Sequence, residues 1–374
     1  MRRKLLASLC AALGLAVLPA VTQAAATAKW TVAYYVPPQR TGEIIEGIAA
    51  TGTGSAWAIA QFGAPPTSKD YSSLYRWDGK AWTPVATSGP LRGYGFSLIS
   101  ASSASNVVAV GRKLVGCCKA LTGQVVRWNG AKWTVLPPVP TPAPESLLTF
   151  GASDTWVAAL TSMYHWNGHS WKSYRVPGSI VAISGAAPDQ VWGVGTSHSG
   201  TQPEIVRWNG AAWTVADRLP AVPKTDVVGP IAVTADSGRD AWVTGYTQNT
   251  RTFASAPFLL HWDGKAWQPV KIPSSVHGVL SDIETDGSGG FWAASSVLGP
   301  SGFGIDQKMA HYSAGKWTAL PVPAIRGARD NAGDMMPTPQ YLANVPGTTS
   351  MWGSVLYVVN SIGAPDSVIV RYLP

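Results

Sequence analysis

Apolar and small residues in this chain come in runs of four or five, broken by short polar turns. No stretch after residue 30 sustains the 3.6-residue apolar period of a helix, so the pattern predicts strands. Residues 96–140 display one complete unit. Residues 96–100 predict a first strand, 101–106 a polar turn and 107–111 a second strand. After a longer connection, 124–128 predict a third strand, Asn129 and Gly130 a hairpin turn, and 132–135 a fourth. Asn-Gly tolerates positive φ at both central positions, which a two-residue hairpin requires. Pro137 and Pro138 then end the fourth strand, because proline has no N–H to give a ladder.

The unit recurs, and tryptophan marks it. All 18 tryptophans fall on three repeating positions. Pairs flank the hairpin turn at Trp77/Trp82, Trp128/Trp133, Trp166/Trp171, Trp208/Trp213 and Trp262/Trp267, with Tyr312/Trp317 as a variant. The third position lies on the second strand: Trp57, Trp156, Trp192, Trp242, Trp292 and Trp352. Trp30 stands apart near the N-terminus. First, second and third strands occur seven times, and the last set ends at Pro374 with no fourth strand. The sequence around Trp30 matches the fourth strand around Trp133 and ends at Pro37 and Pro38 in the same way. The expected fold is therefore all-β: a seven-bladed β-propeller of four-stranded antiparallel blades, closed by the N-terminal strand completing the last blade.

The expected boundaries follow. Residues 27–374 form one propeller domain, with 27–38 the last strand of blade 7. Blades 1 to 6 span 39–89, 90–140, 141–177, 178–220, 221–273 and 274–323, and 324–374 supply the rest of blade 7. The repeated Trp positions read as packing between blade faces, since a buried aromatic removes about 150–250 Å² from water.

Composition changes the picture at the N-terminus. Arg2, Arg3 and Lys4 precede an apolar run, 5–18, that is short for a membrane span, followed by Ala24, Ala25 and Ala26. That is the layout of a signal peptide, residues 1–26, cleaved after Ala24 or Ala26. It predicts a secreted, extracytoplasmic protein exported by the general route; the Arg2–Arg3 pair raises the twin-arginine route as the alternative. No transmembrane segment is expected in the mature chain. Three of the charges behind the formal +8 belong to that leader, and no Lys/Arg-rich run follows, which argues against nucleic-acid binding. A monomer is expected.

The W-N-G-x-x-W-T-x-L-P unit, placed after a small-residue second strand, resembles secreted bacterial propeller-repeat proteins. More distantly it is similar to Kelch repeats, although their diglycine is replaced here by Val110, Gly111 and Arg112 in the second unit. The resemblance implies a fold and no particular activity.

Candidate chemistry is sparse. His165, His261 and His311 share their repeat position with Arg76, Arg127, Arg207 and Arg371, which marks a frame residue rather than a catalyst. Asp282 and Glu284 alternate on the first strand of the sixth unit, so both carboxylates point the same way, toward the central channel. They read either as a solvated lining or as a general acid/base pair. No cofactor is predicted, and a channel cation such as calcium is the alternative. Glu46 is a weaker candidate of the same kind. Cys117 and Cys118, the only cysteines after the leader, suit a vicinal disulfide or a pair of free thiols in a loop.

Long connections carry the binding candidates: Phe62, Tyr71, Tyr94, Arg112, Cys117, Cys118, Tyr246, Phe253, Phe303, Arg326 and Arg329. Aromatics beside Arg suit stacking on a sugar or contact with a protein. The functional expectation is a non-catalytic binding propeller for a carbohydrate, cell-envelope polymer or protein. The alternatives are an extracellular hydrolase or lyase working at the channel mouth, and a structural surface protein with no small ligand.

Overall fold

The computed structural model describes residues 28–36, 42–62, 72–115, 119–141, 143–199, 202–218, 226–252, 255–276, 278–298, 304–326, 337–358 and 365–374. It begins with β1 (Lys29–Tyr35). The first full sheet is β2 (Glu43–Gly52), β3 (Ser55–Phe62), β4 (Ser72–Trp77) and β5 (Trp82–Val85). The second is β6 (Gly95–Ser103), β7 (Asn106–Val115), β8 (Lys119–Trp128) and β9 (Trp133–Val139). A six-stranded sheet follows: β10 (Ser146–Gly151), β11 (Asp154–Trp166), β12 (Trp171–Ala187), β13 (Gln190–Ser197), β14 (Pro203–Trp208) and β15 (Trp213–Arg218). Next are β16 (Asp226–Ser237), β17 (Asp240–Asn249), β18 (Ser255–Trp262) and β19 (Trp267–Pro269). Then come β20 (Val279–Thr285), β21 (Phe291–Leu298), β22 (Gly304–Ser313) and β23 (Lys316–Pro321). The last are β24 (Thr338–Asn344), β25 (Met351–Val358) and β26 (Pro365–Leu373), and β1 joins their sheet beside β26. Trp30 faces Tyr372 in that register.

The expectation of seven separate four-stranded blades is corrected by this topology. The described strands form six sheets, five of four strands and one of six, so the propeller is six-bladed by its sheets. The reason lies between residues 154 and 187. Leu160, at φ 45, turns β11 back on itself, and Asp154 and His165 from its two halves meet at 2.9 Å. β12 then runs from the hairpin straight into the next inner segment, pairing with β11 at one end and with β13 at the other. Elsewhere a break in the strands separates successive sequence units; here no connection interrupts the ladder, and two units fuse.

The sheets pack face to face through the tryptophans. Each second-strand Trp sits against the aromatic pair of the following unit: Trp57 on Trp128 and Trp133, Trp192 on Trp262 and Trp267, Trp352 on Trp77 and Trp82. Trp292 meets Trp30 edge-on at 5.2 Å and Tyr372 at 4.4 Å, so the N-terminal strand supplies half of its aromatic seat. Edge-to-face contacts of this kind add about 0.5–1.5 kcal/mol beyond the area they bury. Val108, fully buried, takes the place of Trp in the second unit.

Inner strands are also stitched to one another. Ser100 Oγ accepts the N–H of Thr149, Ser146 Oγ that of Ile183, Ser184 Oγ that of Ala235, and Thr234 Oγ1 that of Thr285, all at 3.1–3.2 Å. Small polar residues on these strands therefore satisfy backbone donors that a purely apolar inner strand would leave unpaired.

Candidate functional site

The inner strands enclose a cavity of about 570 Å³, lined by segments of β2, β6, β10, β12, β16, β20 and β24. Most of its wall is small, apolar or hydroxyl-bearing; Glu145 lies beside β10, and the other three acids come from β20 and β2. Asp282 and Glu284 come from β20, Glu46 from β2, and Tyr341 from β24 between them. Asp282 Oδ2 accepts the N–H of Leu342 at 2.8 Å, and Glu284 accepts a backbone bond from Asn344. The Tyr341 hydroxyl lies 3.4 Å from Glu46 Oε2.

Burial raises the Asp282 carboxyl to about 7, against the lowering effect of the Leu342 and Ile283 N–H groups. Burial also raises Glu284 to about 8, with the Asp282 charge adding to it and the Asn344 bond opposing. Glu46 is raised too, by burial, and its bond to Tyr341 works the other way. These carboxyls sit in a low-dielectric wall, so each holds its proton more firmly than a surface acid does. The sequence placed Asp282 and Glu284 on the channel side, and both line it. It did not foresee that both act as backbone acceptors for the next inner strand.

Among the described residues, no group of three or more His, Cys, Asp or Glu is placed to hold a metal ion. The histidines of the repeat are tied into the frame. His165, His261 and His311 bond Asp154, Asp240 and Asp286 at 2.8–2.9 Å and stack on Trp156, Trp242 and Trp292. Where the repeat has Arg instead, Arg76, Arg207 and Arg371 lie over Trp57, Trp192 and Trp352, and Arg127 bonds Asn106. Asp154 and Asp240 stand two positions before their Trp; in the third case that position is Gly290 and the carboxylate comes from the preceding turn. A Cβ at Gly290 would lie 2.5 Å from Asp286 Oδ2, so glycine makes room for the substitute. The sequence marked the shared His/Arg position as part of the frame; it named none of the Asp partners.

Of the loop-face candidates, Arg112 pairs with Gly123 on β7, just before a bulge, and is exposed to solvent. Arg326 is exposed as well, with its guanidinium 5.3 Å from the Tyr35 ring centre and its N–H donating to the Tyr35 hydroxyl at 3.1 Å. Tyr94 is half-buried against Phe96. Tyr246 is half-buried on β17 and covers Gly229, where a Cβ would come within 2.4 Å of its ring. Phe62 ends β3 opposite Glu43. Tyr71, Cys117, Cys118, Phe253, Phe303 and Arg329 lie outside the described residues. No helix among the described residues is long and apolar enough to cross a membrane.

No protein-family model matches the chain, and no curated protein matches it. Solved structures do. YCF48 bound to a D1 peptide aligns with a TM-score of 0.56 at 13% identity, covering 92% of this chain and 97% of that one. YCF48 from Cyanidioschyzon merolae gives 0.55 at 15%, covering 92% and 98%. The GH74 xyloglucanase from Xanthomonas campestris gives 0.57 at 12%, covering 91% of this chain and 55% of that one. At these identities the likeness shows a β-propeller repeat fold and nothing finer.

Proposed function

We propose that this protein is an exported binding propeller that takes a carbohydrate, envelope polymer or protein on the face bearing its long connections. The observation that carries the reading is the pair of exposed cations on that face, Arg112 on β7 and Arg326 stacked on Tyr35. Arg112 stands on a strand and Arg326 in the turn beyond β23, and both are exposed, the arrangement in which an arginine contributes to recognition rather than to folding. The frame histidines, by contrast, are consumed by Asp and Trp. A frame of similar shape carries a peptide in the YCF48–D1 structure, which supports a macromolecular ligand.

The test is a screen of the mature chain against glycans and peptides, followed by Arg112→Ala with Arg326→Ala. The double variant is expected to lose at least about tenfold in affinity at an unchanged melting temperature. Unchanged affinity would remove the loop face from the proposal. The competing reading is a hydrolase or lyase at the channel, favoured by the raised Asp282 and Glu284 carboxyls. Asp282→Asn with Glu284→Gln separates the two: an enzyme loses turnover, a loop-face binder keeps its ligand.

A further inference from the structure

A second concavity, of about 430 Å³, opens where the two sequence units fuse. Thr161 and Ser162 line it from the turn of β11, Ser173, Tyr174 and Arg175 from β12, and His198 from beyond β13. The cleft follows from the fusion. Each other sheet carries a break between its second and third strands, whereas β11 turns at Leu160 with no such break, and β12 passes onward uninterrupted.

We infer that this cleft is a saccharide subsite for a chain bearing an oxyanion, of the uronic-acid type. The residues lining it include no carboxylate, and in the β11–β12 ladder Ser162, Ser173 and Arg175 share one face while Tyr174 takes the other. Arg175 is exposed and pairs in register with Ser162, so a fork of N–H donors stands beside a hydroxyl, matched to a planar carboxylate with neighbouring ring hydroxyls. Lys172 Nζ lies 4.7 Å from the Tyr174 ring centre. Asp154 bonds His165, and Glu204 Oε1 accepts from Arg218. Tyr174 is set in place before any ligand arrives, its ring 4.8 Å from Trp208 and 5.6 Å from Trp156.

The inference rests on the loop-face reading and narrows it to one ligand class and one place. Calorimetry of the mature chain against a galacturonate trimer, a neutral galactose trimer and inorganic phosphate tests it. The uronate trimer is expected to bind at least about tenfold more tightly than the neutral one, and Arg175→Gln to abolish that preference without moving the melting temperature. Phosphate is expected to compete only weakly. Equal binding of the two trimers, an unchanged preference in Arg175→Gln, or phosphate binding as tightly as the uronate trimer would each overturn the subsite. If Arg175→Gln changes nothing while the Arg112→Ala and Arg326→Ala pair abolishes ligand binding, the cleft is refuted and the loop-face reading stands.

Discussion

Asp282 Oδ2 accepts the Leu342 N–H at 2.8 Å, so a carboxylate performs between β20 and β24 the stitch that Ser100, Ser146, Ser184 and Thr234 perform elsewhere around the channel. A hydroxyl does this without charge. Asp282 and its neighbour Glu284 carry a titration into the wall of the ring.

The first prediction concerns pH. With Asp282 raised to about 7 and Glu284 to about 8, the folded protein binds these protons more tightly than the unfolded chain does. Their contribution is therefore fully favourable below about pH 4 and is lost as pH rises toward those values. Asp282→Asn with Glu284→Gln is expected to melt several degrees above the parent at about pH 9 and level with it at about pH 4. Calorimetric scans at both pH values decide it; a gain that is the same at both would refute the electrostatic cause.

The second concerns Asp286. Burial pushes its carboxyl up, but bonds from His311, Ser288 and Gly290 outweigh that and hold it below the ordinary value. A lowered acid stabilises the fold above its unfolded value and loses that contribution as pH falls through the folded one. Asp286→Asn should therefore lower stability by about 1–3 kcal/mol near neutrality, and by progressively less as pH falls below about 4. Denaturant titrations across that range read the difference.

The third concerns Gly290. A methyl there would meet the Tyr312 carbonyl at 2.3 Å and Asp286 at 2.5 Å, while at Gly151 it would meet nothing within 4 Å. Gly290→Ala is expected to destabilise by about 1–3 kcal/mol and Gly151→Ala to be nearly neutral. Equal melting temperatures for the two variants would show that both the Tyr312 carbonyl and the Asp286 carboxylate have room to move.

The fourth concerns ring closure. Trp30 is 5% exposed and packs between Trp292 and Tyr372. Trp30→Ala should cost about 3–5 kcal/mol, and removal of residues 29–36 should lower the melting of the whole ring, because it exposes the β26 edge and an aromatic face together. A truncated chain that melts like the intact one would show that β1 is dispensable.

Much of this was legible in the sequence because it is periodic. Hairpin turns, proline stops and paired tryptophans are local signals, and each unit repeats them, so strand identity and the match of the Trp30 segment to a missing fourth strand could be read directly. The alternation of Asp282 with Ile283 and Glu284 was likewise enough to put both acids on the channel side. The blade count was not legible. Composition around 159–180 looks like that of any other unit, and fusion there depends on Leu160 adopting a left-handed turn and on β12 finding partners at both ends.

By itself, then, the sequence determined an all-β repeat frame, its strand order and the positions of its aromatic packing, since these follow from side-chain period and turn chemistry within one unit. The tertiary structure alone decided that two units share a sheet, that hydroxyls and two acids stitch inner strands together, that Asp286 replaces a missing frame acid, and that a polar cleft opens beside Arg175. Those are contacts between segments that lie apart in the chain, and their geometry is set by how sheets pack against one another, which no local pattern encodes.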